Sequence, residues 1–424
     1  MSEEPSKKQD LGKAVLEEIA PKNNKKTGKR RPFGRALVIP LLAVFSGLVL
    51  GAILIIVTDM EVYAAFGQSF GAGIKAAFNS VVVAYGALLR SAFGDPARII
   101  AALEGGDALE IRRAFNPFLE SLVVSTPYIF AGLAVAVGFR SGLFNIGVEG
   151  QLFIGAAAAT FVGYTLKGLP AIIHLPLALL AGAAGGALWG FIPGLLKAKT
   201  GAHEVINTIM LNWIAFRLTD WLLAGPMRRP TSGGMPITPE VEPSAMLPQF
   251  FGAPIRFHLG FIIALLVAWL IWFLLFKTTW GFNLRTVGAN PHAAKYGGMN
   301  IVKSTVIAMS LSGALAGLAG ANQVLGITHS MAMGLSSGYG YDSIALALLG
   351  NSSPLGVVLA SLLFGFLRNG ATQMMVATKI PIDIISIIQA FIIVFIAAPA
   401  LIRAIFRIKA EKADETVFVR GWGG

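Results

Sequence analysis

Residues 117–139 read PFLESLVVSTPYIFAGLAVAVGF, a run of 23 residues in which Glu120 is the lone charge. A helix needs about 20 predominantly apolar residues to cross the hydrocarbon core of a bilayer, and this stretch supplies them without interruption. Two more segments meet the same length, Ala36–Val57 and Phe261–Phe276 with its flanks. The composition of the whole chain agrees: of 424 residues, 55% are hydrophobic and 13% charged, whereas ordinary soluble domains carry roughly 25% charged residues. Most of this surface is therefore expected to face lipid.

Further spans are expected at Val148–Tyr164, Leu175–Leu196, Val205–Ala224, Val302–Leu325, Gly356–Leu367 with its flanks, and Ile382–Ala398. A shorter Gly-bounded piece lies at 339–350. Phe70–Leu89 reads either as a tenth span or as a surface helix, and Lys75 and Asn79 favour the surface. The expected fold is an all-α polytopic transmembrane helix bundle of about nine to ten spans with a broken or half-length helix.

Lys and Arg collect in the N-terminal tail, at Lys197 and Lys199, between Lys277 and Lys303, and at Arg403, Arg407, Lys409 and Lys412. By the positive-inside rule these four regions are cytoplasmic, and the segments Thr58–Phe115 and Gly225–Arg256 lie outside. This divides the chain into a basic cytoplasmic tail (1–35), a transmembrane domain (36–400) and a C-terminal cytoplasmic tail (401–424). The first 35 residues carry ten Lys/Arg against five Asp/Glu and no apolar run, so no cleavable signal peptide is expected. Leu11, Val15 and Ile19 share one helical face, as an interfacial helix or a disordered tail would allow. The net charge of +12 is explained by topology without nucleic acid.

Four regions carry polar or glycine patterns that bear on function. Gly182, Gly186, Gly190 and Gly194 recur every fourth residue, and Gly313 with Gly317 repeats the device, so close helix packing is expected. The stretch 140–151, RSGLFNIGVEGQ, places Asn145, Glu149 and Gln151 between two apolar helices. Polar groups at membrane depth need protein or a water-filled cavity beside them, which makes these three candidates for a solute pathway. The same residues also fit a cytoplasmic turn, with Glu149 complementing the dipole of its own helix. Asn207, Asn212 and Asn322 on flanking helices serve either interhelical hydrogen bonding or the pathway. Residues 336–350, SSGYGYDSIALALLG, free the backbone just before a short helix, so a discontinuous helix could present Tyr341 and Asp342 to a solute, or simply pack the bundle. In the loop 281–300, Pro291 suits a first helical turn and Gly297 a stop. A short helix on the cytoplasmic surface follows, fit either to dock on a partner or merely to connect.

Several classes are excluded. With Cys at 0 there is no disulfide or thiolate site. No segment matches the phosphate-cradling P-loop, and His203-Glu204 lacks the second helical histidine of a zinc protease. No catalytic set stands out, so no enzyme is expected. A secondary transporter or channel for a small polar solute remains the competing class.

Together the runs 116–138, GLFNIGVEGQ (142–151), EVINTIMLN (204–212) and RTVGANPHAA (285–294) resemble the permease subunits of bacterial ABC importers for branched-chain amino acids, ribose and nucleosides, and within that group the nucleoside or simple-sugar branch. The resemblance spans roughly Asn116–Ala398. It implies a multi-pass permease of the bacterial inner membrane with both termini cytoplasmic, importing nucleosides by alternating access. It also implies a second related permease, a cytoplasmic ABC ATPase that uses the ATP while this chain binds no cofactor, and an extracytoplasmic substrate-binding lipoprotein. On this resemblance Arg285, Gly288, Asn290, Pro291, Ala293, Ala294 and Gly297 form the ATPase-coupling element, with Ala293, Ala294 and Gly297 entering the ATPase groove.

Overall fold

A helix that is apolar all round has to be wrapped by other helices, and the stretch around residues 117–139 is. In the computed structural model, which describes residues 33–378, 382–397 and 399–407, this stretch is the core of one long helix, Ala108–Arg140, in which residues 125–138 are all buried. It keeps helical form despite Pro117 and Pro127 because hydroxyls brace the turn ahead of Pro127: Ser125 Oγ donates to the Ser121 carbonyl at 2.6 Å and Thr126 Oγ1 to that of Leu122 at 2.9 Å.

In chain order the helices are α1 (Phe33–Thr58), α2 (Met60–Gln68), α3 (Phe70–Phe93), α4 (Pro96–Gly105), α5 (Ala108–Arg140), α6 (Val148–Thr165), α7 (Ala171–Thr200) and α8 (Glu204–Ala224). After a long loop follow α9 (Gly260–Lys277), α10 (Thr279–Ala289), α11 (Pro291–Tyr296), α12 (Ile301–Gln323) ending in a π-helical turn (Val324–Thr328), α13 (Tyr339–Leu349), α14 (Pro354–Thr378), α15 (Ile382–Ala397) and α16 (Pro399–Ile405). No β-strand forms among the described residues, where two isolated bridges tie Ile237 to Ala332 and Gln249 to His258. Among the described residues, seven helices are long and apolar enough to cross a membrane: α1, α3, α5, α7, α9, α12 and α14. The chain is thus a polytopic all-α bundle. The half-length helix is present as α13, whose 11 residues reach about 16 Å, half a bilayer core.

The stripe of glycines is the closest seam in the bundle. α7 and α12 run antiparallel, and a Cβ placed on Gly186 would lie 2.2 Å from the Gly313 carbonyl oxygen, while one on Gly317 would lie 2.1 Å from that of Gly182. α6 joins the same seam: a Cβ on Gly155 would meet Gly317 Cα at 2.2 Å. Backbones approach this closely only where side chains are absent. On the other side of α5, α14 runs antiparallel, with Gly365 against Ser125 and Gly132 against Val357. α9 runs parallel to α5, with Arg256 paired to Glu120 just ahead of α9 and Arg140 lying 5.7 Å over the Phe276 ring at the far end.

The segment 70–89 belongs to α3, which is long and apolar enough by length and composition to cross a membrane and packs against the bundle. The Ala92 carbonyl accepts from Ser121 Oγ at 2.8 Å, and a Cβ on Gly370 would meet the Leu88 carbonyl oxygen at 2.6 Å. Lys75 and Asn79 sit exposed on its first turns, where a lysine stem can lie along apolar surface with its ammonium group in water. α2 folds back on α3, the Phe66 ring filling the space beside Gly73. The tail 1–32, including Leu11–Ile19, and residues 408–424 lie outside the described residues. At the boundaries of the transmembrane domain, α1 begins at Phe33 and α16 runs through 400 to Ile405.

Candidate functional site

The loop between α5 and α6 is built around one buried amide. Gly142 turns the chain at φ +70°, and Asn145 then satisfies its whole side chain internally. Its Oδ1 accepts from Gly147 N at 2.9 Å, and its Nδ2 donates to Gln151 Oε1 and to Ser312 Oγ, both at 2.8 Å. Ser312 in turn donates to the Ala134 carbonyl at 2.6 Å. One residue thereby ties α5, α6 and α12 together. Buried amides must be paired in this way, since an unpaired one costs about 1–3 kcal/mol.

Asn212 of α8 does the same at the next position. It accepts from Gly150 N at 2.9 Å, in the first turn of α6 where backbone N–H groups have no helical partner, and it donates to the Ile146 carbonyl at 3.0 Å and towards Tyr341 Oη at 3.4 Å. The small Gly150 is required for this approach, because a Cβ there would lie 2.7 Å from Asn212 Oδ1.

Glu149 reaches across to the half-length helix. Its carboxylate is 3% exposed and accepts from Gly340 N at 2.6 Å, so it caps the N-terminus of α13. Glu149 stands in the first turn of its own helix α6 and meets the positive end of α13 as well. Ser336 Oγ accepts from the N–H groups of Gly338 and Tyr339, both at 3.2 Å, completing the cap.

Asp342 holds the same end of α13 from the other side. Tyr128 Oη donates to its Oδ2 at 2.8 Å, and Arg368 Nη1 donates to Asp342 at 3.2 Å and to Tyr128 Oη at 2.5 Å. Arg368 Nη2 also donates to the Ser337 carbonyl at 3.0 Å, and its guanidinium lies 5.2 Å over the Tyr339 ring. The side chains of Arg368 and Asp342 stay about a quarter to a third exposed, and Tyr341 is 45% exposed. Ionised groups within spans turn to protein or water rather than to lipid, and here Arg368, Asp342 and Tyr128 turn to one another. The other end of α13 is fixed by Arg140, which donates to the carbonyls of Ser352 at 2.9 Å and Asn351 at 3.0 Å.

Four of the candidate pathway residues meet at α13, Glu149, Asn212, Tyr341 and Asp342, while Asn145 and Gln151 pair with each other in the adjoining loop and the start of α6. The other two lie apart. Asn207 lies a turn away on α8 with its Nδ2 buried and unpaired. Asn322 lies at the far end of α12 against Gly260 and His258, with its Oδ1 unpaired. Burial there keeps the His258 imidazole neutral, its pKa lowered to about 4. Sequence inspection missed Arg368, Tyr128 and Tyr339. A lone arginine on a spanning helix was the signal available for the first.

At the basic end of the bundle, where Lys197 pairs with Glu204 at 2.6 Å, α10 and α11 form a surface hairpin. Arg285 is part of its frame, donating to the Leu275 carbonyl at 2.9 Å with its guanidinium 5.0 Å over the Phe276 ring. Asn290 caps α11 by accepting from Ala293 N at 3.0 Å, Pro291 occupies the first turn and Gly297 ends the helix. Ala293 and Gly297 are exposed, whereas Ala294 is fully buried, so of the two alanines only Ala293 is available to a partner. Tyr296, which the sequence did not single out, is 95% exposed. Gly288 packs on the central loop: a Cβ there would lie 2.5 Å from the Ser141 carbonyl carbon and 2.6 Å from Gly142 N. A contiguous backbone contact thus links the hairpin to the loop that carries Asn145 and leads to Glu149.

Comparison with known proteins places this geometry. Residues 118–397 match the family model described as branched-chain amino acid transport system, permease component. The chain is 41% identical over 384 residues, 89% of its own length and 98% of the relative's, to the guanosine ABC transporter permease protein NupP of Bacillus subtilis. It is 37% identical over 286 residues (65% and 75%) to the glucose ABC transporter permease protein TsgB13 of Haloferax volcanii, and 30% over 395 residues (91% and 98%) to the nucleoside ABC transporter permease protein NupB of Lactococcus lactis. In the same two bacteria it also matches a second permease, NupQ at 28% and NupC at 29%. No solved structure matches. The chain belongs to the permease-component family of branched-chain amino acid transport systems.

Proposed function

We propose that this chain is the permease subunit of an ATP-driven importer that moves nucleosides by alternating access. The observation that carries the solute is the nearly end-to-end likeness to a guanosine permease. The chain works with an ABC ATPase on the cytoplasmic side, a second permease, as the paired relatives suggest, and an extracytoplasmic substrate-binding lipoprotein. The basic end, with α10 and α11, faces the cytoplasm together with both termini, and the loop 225–259 faces outward.

The geometry supplies a route for coupling. The exposed face of α11, with Ala293, Gly297 and Tyr296, docks in the ATPase, and Arg285, Asn290 and Pro291 keep the hairpin stiff. A displacement of the hairpin is passed by Gly288 to Ser141 and Gly142, then through Asn145 and Gln151 to Glu149 and the N-terminus of α13. The partly open face of α13, with Tyr341 and Asp342 and with Arg368 beside it, lines the solute route. Asn212 holds α6 and α8 in register with it. Stiff backbone contacts transmit displacement because packed cores rearrange between discrete arrangements rather than deform.

The glucose permease among the relatives favours a second reading, a sugar as solute, since a nucleoside and a sugar share a hydroxylated ring. Competition separates them. Unlabelled guanosine or adenosine in hundredfold excess should abolish uptake of labelled guanosine by the whole complex, and glucose in the same excess should leave it unchanged. Glucose transport with no nucleoside uptake would assign the sugar instead.

A further inference from the structure

The buried face of α8 is accounted for by α6, where Asn212 and Ala215 close on Gly150 and the Phe216 ring meets that of Phe153 at 5.0 Å. Among the described residues, nothing covers its opposite face. Ile206, Met210, Trp213, Arg217 and Trp221 follow one another at helical spacing, and the four apolar members are 52–61% exposed. Arg217 is 76% exposed and pairs at 3.5 Å with Asp220, itself 34% exposed.

This face differs in kind from the exposed side of α9, where Ile262, Leu266, Trp269 and Phe273 are apolar throughout and suit acyl chains. Although α8 has 21 residues, it is not among the helices apolar enough to cross lipid unaided. Arg217 lies seven residues before the last helical residue, about 10 Å below that end. Ionised groups within spans turn to protein or water rather than to lipid. Trp, Met and Arg are also the residues enriched where protein surfaces meet.

We infer that this face of α8 is the docking surface for the second permease chain, an inference that rests on the heteromeric reading above. The partner permease covers Met210, Trp213 and Trp221 and supplies polar groups to Arg217 and Asp220. Asn212, on the buried face of the same helix, reaches Tyr341, so α8 stands between the partner and α13.

The chain has no cysteine, which makes a single-site test clean. Met210→Cys, Trp213→Cys and, as the lipid-facing control, Leu266→Cys are each labelled with a maleimide benzophenone in the complete complex, which is first checked for ATP-dependent uptake, and then irradiated. The expected result is a gel shift by the mass of the second permease from positions 210 and 213, confirmed by mass spectrometry, and no such shift from position 266. Adducts to the second permease from 266 alone, adducts joining two copies of this chain, or only lipid adducts at 210 and 213 would overturn the assignment of the surface. An active complex that contains no second permease would instead overturn the heteromeric reading itself.

Discussion

Replacing Gly317 with leucine prevents this bundle from assembling. The Cβ alone would lie 2.1 Å from the Gly182 carbonyl oxygen, and the neighbouring Gly186 is equally closed by Gly313. Neither obstacle is a side chain that can rotate away. Both are helix backbone, so α7 and α12 must separate along the whole seam. Overpacking in ordinary cores costs about 1–3 kcal/mol and occasionally more. Here the separation also strips contacts from α6, and total stabilities are only about 5–15 kcal/mol. Size-exclusion of the fluorescently tagged chain should show loss of the monodisperse peak for Gly317→Leu. Gly71→Leu, at a glycine with nothing within 4 Å, should keep it. A normal peak for Gly317→Leu would show that the seam is not as close as described.

Glu149→Ala should leave the complex assembled and reduce uptake by about tenfold or more. The substitution leaves the Gly340 N–H without its acceptor in a buried setting, a loss of about 1–3 kcal/mol, and each 1.4 kcal/mol corresponds to a factor of ten. Assembly survives because α13 keeps its other ties, Asp342 to Arg368 and Tyr128 at its start and Arg140 at its end. Glu149→Gln retains an oxygen acceptor without the charge and should fall between. Uptake at the wild-type rate in Glu149→Ala, measured in the intact complex, would remove Glu149 from the coupling path.

The spans were legible wherever apolar residues run without interruption, as at 117–139, and the short helix 339–349 was legible because Gly338 and Gly350 bound it. The glycine stripe and its repeat at Gly313 and Gly317 announced close packing, but not that the two stripes pack on each other. Polar residues were harder. Asn145 and Asn322 look alike in sequence, each an amide beside an apolar run, yet one joins three helices and the other leaves its Oδ1 unpaired beside His258. Arg368 escaped notice because its partners are remote, Asp342 by 26 positions and Tyr128 by 240, distances no local spacing reveals. Lys75 and Asn79 argue for a surface helix at 70–89, and both stand exposed in the N-terminal half of α3. The short helix α11 was placed by Pro291 and Gly297, whereas α10 ahead of it was not, and which alanine faces outward depends on how α11 sits on its neighbours.

The most direct test of the account is uptake of labelled guanosine by vesicles that contain the complete complex. Uptake should require ATP on the side where α10 and α11 are exposed, and it should be lost, with insertion unchanged, in Ala293→Trp, which adds bulk to the exposed face of α11 proposed to dock the ATPase. Uptake driven by an imposed ion gradient in vesicles that hold this chain without any ATPase would contradict it.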